Sequence, residues 1–188
     1  HHSTSGIEVA DYQDPVFLAK LRAFLEAIAA RYDGNPNIAY IDIRSYLNWG
    51  EQFNRSHIEM HMEIFKHTRL CQSLPHYGDY PDFDWCVQQG IAARRDGIGG
   101  WSDGRECARA LGHAPAVFEI AGTYEDVQEN GWWREGNMLR EAVEIGKPSY
   151  VSLPSSPGGF LENHPDEESL VADLQNRIGY HFALQKAT

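Results

Sequence analysis

Two carboxylates stand where an apolar strand gives way to a loop, and each has tryptophan nearby. The stretch "NIAYIDIRSYLNWGE" (37–51) runs from a hydrophobic strand into Asn48, Trp49 and Glu51. The stretch "APAVFEIAG" (114–122) carries Glu119 inside an apolar strand and is followed by Tyr124, Trp132 and Trp133. A carboxylate in an apolar strand costs several kcal/mol unless it is paired or used. For Glu119 the pairing candidates are Arg94 and Arg95; for Glu51, viewed alone, solvation in a loop is an equal reading. Taken together, two carboxylates at strand ends with aromatic faces close by match the needs of glycoside hydrolysis, a nucleophile and a general acid/base flanking a sugar.

The elements that must position these groups follow from periodicity. "DPVFLAKLRAFLEAIAARYDG" predicts a helix with Asp14 as N-cap, Pro15 in the first position and Gly34 beyond its end. Its apolar face is Val16, Leu18, Leu21, Phe24, Leu25, Ile28 and Ala29. After it, strands alternate with helices. The strands are "IAYIDIRS", "RLCQSLP", "IAARRDGIG", "APAVFEIAG" and "KPSYVSLPSS". The helices between and after them are "SHIEMHMEIFKHT", "PDFDWCVQQG", the short "DGRECARALG", part of the segment 123–146, and a closing "DEESLVADLQNRIGY" with Asp166 as its cap. Such alternation implies right-handed crossovers and a parallel sheet, and in parallel sheets chemistry gathers at the C-terminal strand ends. Those ends add His76 and Tyr77 after the second strand, and Arg95, Asp96 and Trp101 in and after the third.

With 188 residues, 42% of them hydrophobic and 23% charged, the chain has the length and balance of one globular domain. A net charge of -11 argues against a nucleic-acid partner, which needs a basic surface. No apolar run approaches the 18 or so residues that a membrane span requires. "HHSTSG" has the character of a tag remnant, which leaves 1–6 outside the fold and 7–188 as a single α/β domain. Cys71, Cys86 and Cys107 lack metal-ligand spacing and read as unpaired thiols.

From 11 to the end of the chain, and most clearly over "DYQDPVFLAKLRAFLEAIAARYDGNPNIAYIDIRSYLNWGE", the sequence resembles a bacterial family of glycosidase-like (β/α)8 barrels, described as beta-galactosidase-like or as a domain of unknown function. That family is related to the large retaining clan with catalytic glutamates on barrel strands four and seven. The resemblance implies a partial TIM barrel whose five parallel strands correspond to strands four to eight. Glu51, in a W-G-E loop, then follows strand four, and Glu119 lies on strand seven. It also implies a carbohydrate substrate, a retaining mechanism, no cofactor and no metal. Asn48, Trp49, His76, Tyr77, Arg95, Asp96, Trp101, Tyr124, Trp132 and Trp133 become the substrate-binding candidates; packing is an equal reading for the two adjacent tryptophans. The motif departs from the clan where Gly50 precedes Glu51, since Asn is usual there, and no tryptophan occupies "YVSLPSS".

Five strands of an eight-stranded barrel leave two edges and an interior face to cover. The expectation is therefore a homodimer or higher oligomer joined through the open edges; the alternatives are a sheet opened into a doubly wound layer, which five strands complete, or a piece of a larger protein, with secretion or the periplasm compatible for the parent. Two other functions compete. One is a non-catalytic sugar-binding or inactive half-barrel. The other is a phosphate-ester or metal-dependent hydrolase using the histidines: His57, Glu59, His61 and Glu63, with His67 and His76 beyond, offer ligands, and His57 and His61 share a helix face but lack the H-E-x-x-H order. The glycine-rich "DGIGGWSDG" has neither dinucleotide spacing nor a Walker lysine and reads as a plain loop.

Overall fold

The computed structural model describes residues 11–46, 54–73, 81–156 and 158–179, together with the backbone of two short strands near the start. Those two, β1 (His2–Thr4) and β2 (Ile7–Val9), pair antiparallel. Then follow α1 (Pro15–Tyr32), β3 (Ile41–Ile43), α2 (Arg55–Ile64), β4 (Leu70–Ser73), α3 (Pro81–Gln88), β5 (Ala92–Ile98), β6 (Ala116–Ile120), α4 (Tyr124–Glu129), α5 (Asn137–Gly146), β7 (Tyr150–Val151), α6 (Phe160–Asn163) and α7 (Glu168–Arg177). Short 3-10 segments occupy Arg105–Ala110, Arg134–Gly136 and Pro165–Glu167. The architecture is α/β: β3 to β7 form one five-stranded sheet in chain order, with parallel pairing between β3 and β4, β5 and β6, and β6 and β7. The chain divides into two compact units, His1–Asp82 and Phe83–Thr188.

In the first unit, α1 starts where its sequence says it should. The Asp14 carboxylate accepts from the amides of Val16 and Phe17 at 2.8 and 3.1 Å, and Pro15 supplies the first helical residue. Five alanines between 19 and 30 favour the helix intrinsically. Its packing is the surprise, because only Leu25 is buried while Val16 and Phe24 are 67% and 61% exposed. The helix ends at Asp33, and Gly34 adopts a φ of 79° immediately after it.

Asp33 then does more than terminate α1. Its carboxylate accepts from three consecutive amides, Lys66 at 2.9 Å, His67 at 3.0 Å and Thr68 at 2.7 Å, which tie the segment between α2 and β4 to the end of α1. The Thr68 hydroxyl in turn accepts from the Gly34 amide at 2.7 Å. Burial acts to raise the Asp33 pKa, but those donors outweigh it and bring it down to about 2.

In the second unit the packing turns on Phe118, which is fully buried. A Cβ on Gly104 would lie 2.2 Å from its ring, and one on Gly146 would lie 2.3 Å from it. Both positions therefore need glycine for close approach. The 3-10 segment begins at Gly104 and α5 ends at Gly146, so both come down on the same face of β6. The sequence predicts an α-helix over 103–112; a single 3-10 run forms instead, its tight winding setting Cys107 and Ala110 against the sheet. Further on, α4 carries a reciprocal cap: the Thr123 hydroxyl accepts from the Asp126 amide, and the Asp126 carboxylate accepts from the Thr123 amide.

The Asp33 clamp makes a measurable claim. Asp33→Ala removes the acceptor of three amides and is expected to lower stability by about 1–3 kcal/mol. Because the folded carboxyl titrates below its unfolded value, its contribution is present above about pH 4 and is lost as pH falls toward 2. Urea denaturation of wild type and variant at pH 7 and pH 3 checks both statements; an unchanged midpoint at pH 7 contradicts the clamp.

Candidate functional site

Strand pairing decides which side chains share a face. Arg94 is in register with Val117, and Arg95 with Phe118. Side chains alternate along a strand, so Arg95 and Phe118 point toward the glycine-lined helical layer, while Arg94, Asp96 and Glu119 point to the other side. There Glu119, next to last in β6, keeps 46% of its side chain exposed. The Arg94 terminal amino group contacts Glu119 Oε2, and Arg94 Nε donates to Asp96 Oδ1 at 2.6 Å. Arg94 and Asp96 are 18% and 19% exposed. One guanidinium thus spans two carboxylates on adjacent strands, near the C-terminal end of a parallel pair.

Arg95 has a different environment. It is 3% exposed and donates through Nε to Ser102 Oγ at 2.8 Å, with Glu106 Oε2 at 4.0 Å. Ser102 Oγ also accepts from the Gly104 amide at 3.0 Å, which locks the loop after β5. The neighbouring Cys107 thiol is pushed up to about 12 by burial and by the Glu106 charge, with Arg95 acting in the opposite direction. All three cysteines are buried.

The aromatic candidates divide in the same way. Trp101 is 55% exposed and lies across Gly97, where a Cβ would come within 2.0 Å of the indole. It borders a cleft of about 480 Å³ shared with Arg105, Glu106, Arg134 and Met138. Trp132 is half-buried against Gly100. Trp133 is 2% exposed, and its indole N–H donates to Glu167 Oε1 at 2.8 Å. The Tyr124 hydroxyl donates to the same oxygen at 2.8 Å, and the Tyr124 ring meets those of Trp133, Phe160 and His164 edge-on or tilted. Burial and the Glu167 bond raise the Tyr124 pKa. Of the two roles open to Trp133, packing is the one its surroundings support. Asn48, Trp49, Glu51, His76 and Tyr77 lie outside the described residues.

The structure therefore brings together Asp96 and Glu119 among the sequence candidates, joined by Arg94, one of the two pairing partners that the sequence offers for Glu119. Arg95 is turned to the opposite face. The signal for this was present in "AARRDG": period-two alternation sets Arg94 with Asp96 and separates both from Arg95. Glu167, which gathers two aromatic donors, had no comparable signal, because its partners are more than 30 residues away.

The α2 histidines serve the fold. His57 and His61 are buried, at 0% and 2% exposure. His57 Nε2 donates to the Tyr12 carbonyl at 2.7 Å, since that oxygen can only accept, and Nδ1 meets Ser45 Oγ at 3.0 Å. His61 Nδ1 donates to the His57 carbonyl at 2.8 Å. Among the described residues no group of three or more His, Cys, Asp or Glu is placed to hold a metal ion, and no described helix is long and apolar enough to cross a membrane. Comparison with protein-family models, with curated proteins and with solved structures finds no match.

Burial lowers the pKa of both histidines, against the carbonyls that accept from them; for His61 the nearby His57 adds to the lowering. Folded, they stay neutral where the unfolded chain would protonate them, near pH 6.5. The unfolded state then binds more protons, so stability is fully present above that pH and falls as pH drops below it. Urea midpoints measured from pH 7.5 to 5 are expected to decline, and His61→Leu is expected to flatten the decline. A midpoint independent of pH over that range contradicts the assignment.

Proposed function

We propose that this chain is a glycoside hydrolase-like protein that binds or acts on a carbohydrate, by a retaining mechanism where it is active. The observation that supports the reading is the Glu119 carboxylate: half-exposed, near the C-terminal end of β6, turned away from the helical layer and held by Arg94. Ligands of parallel α/β sheets bind at that end of the strands. In this reading β3 to β7 correspond to strands four to eight of a (β/α)8 barrel, and Glu119 attacks the anomeric carbon. Glu51 protonates the leaving oxygen and later activates water, which requires the two carboxyl groups about 5–5.5 Å apart. Asp96 completes the near surroundings through Arg94; Asn48, Trp49, His76, Tyr77 and Trp101 belong to the same proposal.

A non-catalytic sugar-binding role is the second reading. It is favoured by the ion pair that already occupies Glu119 and by Gly50 standing where the retaining clan has Asn. The histidines of α2 lend no support to a metal-dependent hydrolase, because the structure uses them in packing.

Hydrolysis of aryl glycosides distinguishes these readings, and weak or absent turnover is expected. Where turnover is measurable, Glu119→Gln should abolish it. Glu51→Gln should spare dinitrophenyl substrates, whose leaving group needs no protonation, and slow unactivated ones by about 100-fold or more. Activity untouched by both substitutions removes these residues from the mechanism. Sugar binding by NMR without turnover supports the second reading. The proposal also includes self-association through the edge strands β3 and β7; light scattering after size exclusion tests it, and a clean monomer at micromolar concentration refutes it.

A further inference from the structure

We infer that Arg94 is the positioning residue for Glu119 and that Asp96 acts at one remove by fixing Arg94; the inference rests on reading Glu119 as a nucleophile. A glutamate side chain turns about three bonds, and a half-exposed one samples several rotamers. A nucleophile has to be held within about 0.5 Å of the attacking geometry. The strand backbone places the Glu119 Cβ but leaves its carboxylate free to turn, and Arg94 restricts that freedom through its contact with Oε2.

The guanidinium fits this task because it is a flat, rigid fork. Asp96 lies two residues beyond Arg94 on the same strand and the same face, and it binds Nε at 2.6 Å. Fixing Nε fixes the plane, and the plane directs the terminal amino group across to β6. A lysine, with one rotating ammonium, cannot hold both carboxylates in a set geometry. Because Arg94 engages Oε2, attack on the sugar is assigned to Oε1.

The test isolates this step from Glu51. A 2,4-dinitrophenyl 2-deoxy-2-fluoroglycoside, tried in the galacto, gluco and manno series, reacts without acid assistance. Glu119 Oε1 forms a bond to C1, the C1–O bond to the aryl group breaks, and its electron pair leaves as dinitrophenolate. The fluorine slows the second step, so the glycosyl ester accumulates and is read by intact mass and peptide mapping. The expected result is labelling of wild type on the peptide containing Glu119. In Arg94→Gln the labelling rate constant is expected to fall about 100-fold, with the inhibitor's binding constant little changed and the melting temperature retained. Arg94→Lys and Asp96→Asn should fall between the two. Equal rate constants in wild type and Arg94→Gln overturn the inference and leave the nucleophile reading intact. Absence of any label on wild type overturns the nucleophile reading and this inference with it. Should Arg94→Gln fail to fold, Asp96→Asn decides alone, and an unchanged rate constant there overturns the positioning chain.

Discussion

Phe118 has nowhere else to go. Its ring is buried where glycines at 104 and 146 let two segments close on β6, and neither position leaves room for a methyl group. That steric requirement sets the facing of the strand. Side chains repeat every two residues, so a slip of one residue would drive Glu119 into the helical layer and lift Phe118 into water. The polar face of the candidate site is thus a by-product of apolar packing one residue away. Arg94 reaches Glu119 because Arg95, in register with Phe118, is carried to the other side by the same alternation.

Among the described residues, many charges are paired. Although acidic residues outnumber basic ones by 27 to 16, many of the arginines are matched with carboxylates. Arg105 pairs with Asp103 and Arg134 with Glu141, while Asp173 binds both Arg140 and Arg177. These pairs are largely exposed and contribute little each to stability. The Arg94 trio differs in kind because its cation is mostly shielded and its carboxylates sit on neighbouring strands. In a shielded setting geometry matters more than count, since a well-placed guanidinium orients what it binds.

The alternation of strands and helices was legible because each carries its own apolar period, and the start of α1 because Asp14 and Pro15 announce it. What periodicity cannot say is how much of a stripe finds a partner: the predicted apolar face of α1 is continuous in sequence, yet Val16 and Phe24 stay in solvent. An apolar run overstates strand length for a similar reason. The apolar run 38–45 contains only three paired residues, because hydrogen bonding to β4 spans Ile41–Ile43. The short α6 has no sequence signal, since four residues after two glycines have no period to detect. At the site, Glu119 was legible from the cost of a carboxylate in an apolar strand. That Arg94 and Asp96 share a face apart from Arg95 was legible from alternation; that Glu119 lies on that same face needed the register of β6, which local pattern does not contain.

The burial of every cysteine has a practical side. A thiol shut away in the core does not meet a water-soluble maleimide, and Cys107, its pKa pushed up to about 12, is in addition held protonated. The chain is therefore already a quiet background for labelling chemistry. One cysteine introduced at a solvent-facing position would be the single address for a spin label or fluorophore, with no native residue removed beforehand. Spacings between exposed points on the two faces of the sheet thus become accessible to ruler-type spectroscopy in the unaltered core.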